Sequence, residues 1–259
     1  MSTSEIQVET AQSAFDWIRN GRHNTEPHSI EPNWPGVPVA ALIPEVFEAY
    51  GKIFHPIAGR YENIDHPLDL DERKILELAE CHVLRDFVQR MRTEPEAPTL
   101  HWKKVAEALG VPFQRHLSDE WFRSVLEPGC WPRYVSGPDE GILEEREATA
   151  LISILNASSA SSSCYFRFAE MPYIGTDKPL LYSGPLEQLQ RFLKETDRQF
   201  TPEYWWPEDR SWCVCSDYDL PFTIVGGSNQ LIDSILTNLD LESIQVSPDT
   251  RVDYRAPME

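Results

Sequence analysis

The sequence predicts an α+β fold, with a helical N-terminal half packed on a mainly antiparallel sheet that has flanking helices in the C-terminal half. Two observations support this class. Apolar residues recur at helical spacing in the first half, and alternating segments typical of strands appear only after about residue 160. The later elements run strand, strand, helix, strand, strand, helix, an order that favours an antiparallel sheet with helices on one side.

The expected organisation is a proline-rich arm over residues 1–40 and a single α+β domain over residues 41–259. Four prolines crowd residues 27–38 and exclude a regular helix there, although a short helix is expected at residues 14–19. The domain divides into a helical lobe at about 41–157 and a sheet lobe at about 158–247.

Three helices are predicted early in the helical lobe. The first covers residues 43–54, where apolar residues recur at helical spacing and Pro44 suits the first turn. The second covers residues 71–92, with acids near its start and arginines near its end, as the helix dipole prefers. The third covers residues 100–109 and is closed by Gly110.

The remaining elements belong to the second half. A helix is predicted at residues 143–155, followed by a serine-rich loop and a helix that opens at Gly184-Pro185. A last helix follows Gly226-Gly227 with Ser228 as its N-cap, and its apolar residues extend to Leu239. Strands are predicted at residues 164–168, 180–182, 211–216, 222–225 and, at the edge, 244–246.

Charge restricts the partners. The chain of 259 residues has 42 acidic and 23 basic residues, for a formal net charge of −19. No basic cluster suited to phosphates is visible, so no nucleic-acid binding is expected, and a macromolecular partner should be basic. No apolar stretch suits a membrane span. Five cysteines without a secretory pattern indicate a reducing, cytoplasmic location.

The densest chemical feature covers residues 201–212, which contain three of the eight tryptophans. Trp205 and Trp206 are expected to point in opposite directions from a loop that enters a strand, one buried and one partly exposed. Glu208, Asp209 and Arg210 follow. Arg210 could pair with Glu208 or Asp209 or stack on an indole, and an ion pair beside the exposed indole is the expected arrangement. The alternative is that these tryptophans only fill the core.

Further candidates lie just beyond. Asp217 and Asp219 have the spacing of cation ligands, but such aspartates also shape turns. Cys213 and Cys215 should lie on one face of a strand and pack in the core, since no second ligand pair for zinc stands nearby. No metal site and no cofactor is therefore predicted.

Several blocks resemble an uncharacterised, mostly actinobacterial protein family. They are residues 43–50, His55-Pro56, Trp102 with Val105-Ala106, residues 181–186, residues 204–214, and residues 225–228 followed by Leu231-Ile232. This resemblance implies no activity or ligand. Residues 42–47 are similar to the opening of the SMI1/KNR4-like immunity proteins, a resemblance that implies an immunity-like role.

The sequence is therefore interpreted as a non-catalytic, immunity-like binding protein. It would present an acidic surface and a tryptophan-rich loop to a basic protein partner. The alternative interpretations are an enzyme that uses carboxylates near residues 209–219, namely Asp209, Asp217 or Asp219, and a structural or regulatory subunit.

Overall fold

The computed structural model describes residues 6–9, 12–24, 36–60, 64, 97–126, 131–132, 135–161, 163–169, 179–196, 198, 200–253 and 256. The predicted helix at residues 71–92 lies outside these residues. The chain forms two compact units. The first comprises Met1–His55 and Glu140–Arg251, and the second comprises Pro56–Asp139 and Val252–Glu259. The proline-rich arm at residues 1–40 and the single domain at residues 41–259 stay predictions, because two compact units need not fold independently of each other.

The described strands are β1 (Gln7–Val8), β2 (Ala49–Phe54), β3 (Ile57–Ala58), β4 (Thr99–Leu100), β5 (Cys164–Phe168), β6 (Leu180–Gly184), β7 (Tyr204–Pro207), β8 (Cys213–Cys215), β9 (Phe222–Gly227) and β10 (Ser243–Val246). The described α-helices are α1 (Asp16–Gly21), α2 (Val39–Leu42), α3 (Trp102–Leu109), α4 (Asp119–Val125), α5 (Glu145–Ser158), α6 (Leu189–Glu195) and α7 (Asn229–Leu236). Short 3-10 helices cover Gln12–Phe15 and Leu186–Gln188. None of these helices is long and apolar enough to cross a membrane.

The first unit is built on an eight-stranded sheet in the order β1-β6-β5-β7-β8-β9-β2-β10. Every neighbouring pair of strands is antiparallel. The predicted α+β class with a large antiparallel sheet is therefore confirmed. The strands predicted in the second half are present, and β10 lies at the edge of the sheet as expected.

The predicted helix over residues 43–54 is wrong, because Ala49–Phe54 is strand β2. All six of its residues are buried, and it lies between β9 and β10. A strand buried on both faces has no alternation of apolar and polar residues, so its pattern resembles that of a buried helix. Even Lys52 is fully buried there, with Nζ 4.1 Å from the centroid of the Phe222 ring.

One face of the sheet is covered by helices. Apolar side chains of α5 and α7 form a core with alternate residues of β5, β7, β8 and β9. This core includes Leu151 and Leu155 of α5 and Ile232 and Ile235 of α7, which are almost inaccessible to solvent. The neighbouring Ile152 is slightly more exposed. This packing is the expected one, since each helix presents one apolar stripe.

The opposite face of the sheet is contacted by residues 12–24, here called the N-terminal segment. The ring of Phe15 lies 5.1 Å from that of Tyr204 and 5.9 Å from that of Trp206. The Tyr204 hydroxyl also donates a hydrogen bond to the carbonyl of Leu42, 3.0 Å away. The centre of the sheet is therefore buried on both faces.

The second unit contains the β3–β4 pair and helices α3 and α4. Its core includes Trp102, Phe122 and Trp131, whose neighbouring rings lie 5.2 and 5.8 Å apart. Helix α3 ends at Gly110, which has a φ of 68°, the left-handed conformation that glycine adopts without strain. Trp121 Nε1 donates to the carbonyl of Ala256, 3.0 Å away, and so links α4 to Ala256.

Candidate functional site

The two adjacent tryptophans lie in a strand, β7, and not in the loop that the sequence predicts. Their side chains point to opposite faces, as expected. Trp205 belongs to the helix-covered core, and Trp206 contacts the N-terminal segment. Their exposed fractions are 0% and 1%. The expectation of a partly exposed indole is therefore wrong, because the N-terminal segment covers the second face.

Trp205 also packs against Trp212, with ring centroids 6.4 Å apart and planes at 87°. Both indole nitrogens are buried, and among the residues that the structure describes neither has a hydrogen-bond partner. An unsatisfied buried donor costs about 1–3 kcal/mol, so the packing of these rings offsets a real penalty. These two side chains serve the core and are not accessible to a partner.

The exposed part of the predicted site is the β7–β8 turn, formed by Glu208, Asp209 and Arg210. Several hydrogen bonds fix its backbone. Glu208 N–H donates to Ser163 O at 3.0 Å, and Arg210 N–H donates to Pro207 O at 2.9 Å. The turn is therefore rigidly attached to the sheet while its three side chains remain accessible.

Asp209 contributes to this rigidity. Its Oδ1 accepts a hydrogen bond from Ser211 N–H at 2.9 Å, and its Oδ2 accepts one from Ser159 Oγ at 3.1 Å. Partial burial raises the pKa of Asp209, but the hydrogen bonds from Ser211 and Ser159 outweigh burial and lower the pKa overall. Asp209 therefore stays ionised and links the turn to the end of α5.

Arg210 adopts a φ of 58°, which is unusual for a residue other than glycine. Its guanidinium lies over the Trp17 ring, 5.4 Å from the centroid. Trp17 in turn contacts Trp206, which stacks on Tyr165 with centroids 5.4 Å apart. The expected ion pair of Arg210 is not found with any described carboxylate, and an aromatic stack supports the guanidinium instead.

Asp217 and Asp219 lie in the next turn, between β8 and β9. Asp219 N–H donates to Asp217 Oδ1 at 2.9 Å, and Leu220 N–H donates to Asp217 O at 3.1 Å. Asp217 therefore shapes the turn through its own side chain. Since successive turns lie at opposite ends of a strand, β8 separates these carboxylates from Asp209, and the structure does not bring them together.

Cys213 and Cys215 share one face of β8, as predicted, and both are buried. Burial raises the pKa of both thiols. It also raises the pKa of Cys164, which lies in β5 on the opposite face of the sheet, to about 12. Burial therefore favours the protonated form of these thiols near neutral pH. Within the part of the chain that the structure describes, no three His, Cys, Asp or Glu residues are placed to hold a metal ion.

A polar cluster that the sequence analysis missed lies beneath the N-terminal segment. Arg167 of β5 forms an ion pair with Glu203, and Arg22 donates a hydrogen bond to the Tyr204 hydroxyl. Arg167 and Glu203 are only 16% and 15% exposed. Burial lowers the pKa of Arg167 and raises that of Tyr204. The signal in the sequence is the single charged residue, Arg167, within an otherwise uncharged strand.

No protein-family model, curated protein or solved structure matches the chain. The resemblance to the uncharacterised bacterial family and the likeness to immunity proteins therefore stay predictions. The features that bear on function are the β7–β8 turn, the contacts that hold it, and the charge of the chain.

Proposed function

We propose that the protein is a non-catalytic binding protein that presents an acidic surface to a basic protein partner. The β7–β8 turn is the proposed contact. The observation that carries this proposal is that hydrogen bonds fix the turn at Glu208, Asp209 and Arg210 while their side chains stay exposed. A contact surface that is already ordered loses little conformational entropy on binding.

The tryptophans have a supporting role in this proposal. Trp17, Trp206 and Tyr165 form the stack on which Arg210 rests. The partner would then contact two carboxylates and one oriented guanidinium, not an indole. The formal charge of −19 supports a basic partner, since opposite charge accelerates association.

Binding is favoured over catalysis by the positions of the carboxylates. Asp209 and the pair Asp217 and Asp219 lie at opposite ends of β8, so they do not form a pair that could share acid–base work on one substrate. Asp209 is also held ionised, which suits electrostatic attraction.

The test begins with a photoreactive amino acid at position 208, crosslinked in cells that make the protein. The captured partner is then purified, and its association rate is measured at several salt concentrations. We expect a basic protein whose association slows when Glu208→Lys and Asp209→Lys are combined, with an affinity loss of about tenfold or more. Asp219→Lys is a single charge reversal at the opposite end of β8, and it should have a much smaller effect than Glu208→Lys alone.

The proposal is wrong if crosslinking from position 208 captures no protein. It is equally wrong if the single reversals Glu208→Lys and Asp219→Lys slow association by the same factor, because the turn would then contribute only to the overall charge.

A further inference from the structure

The edge of the large sheet at β10 carries backbone groups that no other strand uses. Strand β10 (Ser243–Val246) is last in the strand order and pairs with β2 on one side. The N–H of Phe54 donates to the carbonyl of Glu242 at 2.9 Å, so these two residues form a hydrogen-bonded pair of the ladder. Because such pairs alternate along an antiparallel ladder, Ile244 and Val246 also direct their backbone groups toward β2.

Ser243 and Gln245 therefore direct their N–H and C=O groups away from β2. No described residue forms a hydrogen bond with these four groups. Gln245 is exposed, and Ser243 is partly buried. The edge closes at Ser247, whose N–H donates to Thr250 Oγ1 at 2.9 Å and whose carbonyl accepts from Thr250 N–H at 2.9 Å. The open edge thus offers two donors and two acceptors, on residues about 7 Å apart.

These groups specify an extended polypeptide as the occupant. Donors and acceptors that repeat along one line are matched by the edge of another strand. Sheet edges in folded proteins are commonly protected by a charged side chain, a proline or a bulge. The sequence Ser-Ile-Gln-Val contains no charged residue and no proline, and its register with β2 is continuous. Since β10 has four residues, the paired segment would comprise about three to five residues.

The charge around β10 favours a basic segment. Residues 238–250 contain Asp240, Glu242 and Asp249 but no lysine or arginine. Asp240 is ion-paired with Arg146, whereas Asp249 is exposed and forms no ion pair with a described residue. The chain as a whole carries a charge of −19, which attracts a basic chain and repels a second copy of this one.

The open edge lies within reach of the β7–β8 turn. Cys213, three residues after Arg210 of the turn, pairs with Gly226 of β9. Gly226 pairs with Tyr50 of β2, and Tyr50 pairs with Val246 of β10. This row of residues crosses three strand spacings, about 14 Å. The turn and the end of β10 therefore lie at the same end of the sheet, where one partner could contact both.

We propose that the outer edge of β10 pairs with an extended segment of the basic partner, which adds a strand to the sheet. Ser243 and Gln245 exchange backbone hydrogen bonds with that segment, and its lysines or arginines lie near Asp249. This assignment rests on the proposed function, because it names a second contact of the same partner.

Hydrogen exchange of single amides provides the first test. In the free chain, the amides of Ile244 and Val246 should exchange slowly, since they bond to β2, and those of Ser243 and Gln245 should exchange rapidly. The probe is a synthetic peptide of about eight residues in which valine and lysine alternate. N-methylation of every second amide leaves it one edge for pairing and prevents its aggregation. At about ten times its Kd, the probe should slow exchange at Ser243 and Gln245 about tenfold and change Ile244 and Val246 little.

A matched pair of variants tests the backbone of β10 directly. Gln245→Pro removes the outward N–H, whereas Gln245→Ala keeps it and shortens only the side chain. Neither change removes a hydrogen bond to β2, so both variants should fold, which circular dichroism and thermal unfolding verify. In calorimetry, Gln245→Pro should weaken binding of the probe about tenfold or more, and Gln245→Ala less than about twofold.

The control peptide has the sequence of the probe with every amide N-methylated, so it has no backbone donor. It should bind about tenfold more weakly than the probe. Equal binding of the two peptides, equal binding by the two variants, or unchanged exchange at Ser243 and Gln245 overturns the proposal. The peptide and exchange comparisons use the native chain, so they decide the result even if Gln245→Pro does not fold.

Further outcomes separate this proposal from the proposed function. If Glu208→Lys slows association of the crosslinked partner and Gln245→Pro leaves its affinity unchanged, the edge is overturned and the turn remains. If the probe pairs with β10 but crosslinking from position 208 captures no protein, the turn is overturned and pairing at the edge is supported. A dimer in sedimentation that dissociates on Gln245→Pro assigns the edge to a second copy and overturns the proposal.

Discussion

The two faces of the large sheet are covered in different ways. The face that carries Trp205 packs against α5 and α7 in one continuous apolar core. The face that carries Trp206 is covered at this position by the N-terminal segment, through the rings of Phe15 and Trp17 and the polar contacts of Arg22. The first cover depends on the apolar area that α5 and α7 bury. The second depends on a few directional contacts made by a short segment.

This difference predicts a division of roles. Apolar burial by α5 and α7 should determine the global free energy of unfolding. The aromatic and polar contacts on the other face should determine whether the N-terminal segment stays attached, since a short segment can open locally. Substitutions on the two faces of the same strand therefore provide a direct test.

The largest effect is expected for Trp205→Ala, which should lower the free energy of unfolding by about 3–5 kcal/mol. Trp206→Ala should lower it less, because the N-terminal segment can move into part of the space or detach. Denaturant unfolding measures the first difference. Hydrogen exchange should show faster exchange at residues 12–21 in Trp206→Ala alone. Equal losses of unfolding free energy in both variants, without faster exchange at residues 12–21, would contradict this division of roles between the two faces.

A smaller but substantial effect is expected at the ion pair of Arg167 and Glu203. Glu203→Gln leaves the largely buried guanidinium without its carboxylate and should cost about 2–3 kcal/mol. The double variant Arg167→Met, Glu203→Gln removes the stranded charge and should recover at least half of that loss. If the double variant is less stable than Glu203→Gln, the charge itself does not cause the loss.

A pH effect should follow from the buried thiols. Burial raises the pKa of Cys164 from 9.0 to about 12 in the folded state, so the unfolded state loses its proton first. Stability is then retained below pH 9 and falls between about pH 9 and 12, by up to about 1.4 kcal/mol per pH unit for this thiol. Cys164→Ala should show a shallower decline in denaturant unfolding across this range. The same slope in the native protein and in Cys164→Ala would show that the Cys164 thiol does not cause the decline.

The smallest effect is expected at Arg210, and a matched pair of variants resolves it. Arg210→Ala keeps the unfavourable positive φ and loses the contact with Trp17, so it should cost about 0.5–1 kcal/mol. Arg210→Gly loses the same contact but relieves the backbone, so it should be nearly neutral. Thermal unfolding under identical conditions measures both. A glycine variant less stable than the alanine variant would show that the backbone is unstrained here.

Alternation predicts strands whose two faces have different surroundings, whereas a fully buried strand such as β9 is predicted from the turn residues beside it. Strand β5 alternates clearly because Cys164, Phe166 and Phe168 face the helix-covered core while Tyr165 and Arg167 face the other side. Strand β2 loses this signal because both of its faces are buried.

The candidate site shows the same limit. The turn at Glu208, Asp209 and Arg210 is predictable from Pro207 and the run of charges, and it is exposed as a contact surface requires. The burial of Trp206 is not predictable locally, because Phe15 and Trp17, which cover it, lie far earlier in the chain. The exposure of Leu239 is not predictable locally either. Helix α7 ends three residues before Leu239, so this side chain does not join the apolar face of the helix.

The position of β2 has a consequence for the synthesis of the protein. This strand leaves the ribosome early, yet its partner β9 follows about 170 residues later, and β10 later still. At a translation rate of about 5–20 residues per second, β9 is synthesised roughly 10–35 seconds after β2. During that interval its unpaired backbone can bind other extended chains. Nascent chains should therefore need a chaperone most in this interval, and slow translation of residues 55–220 should increase aggregation.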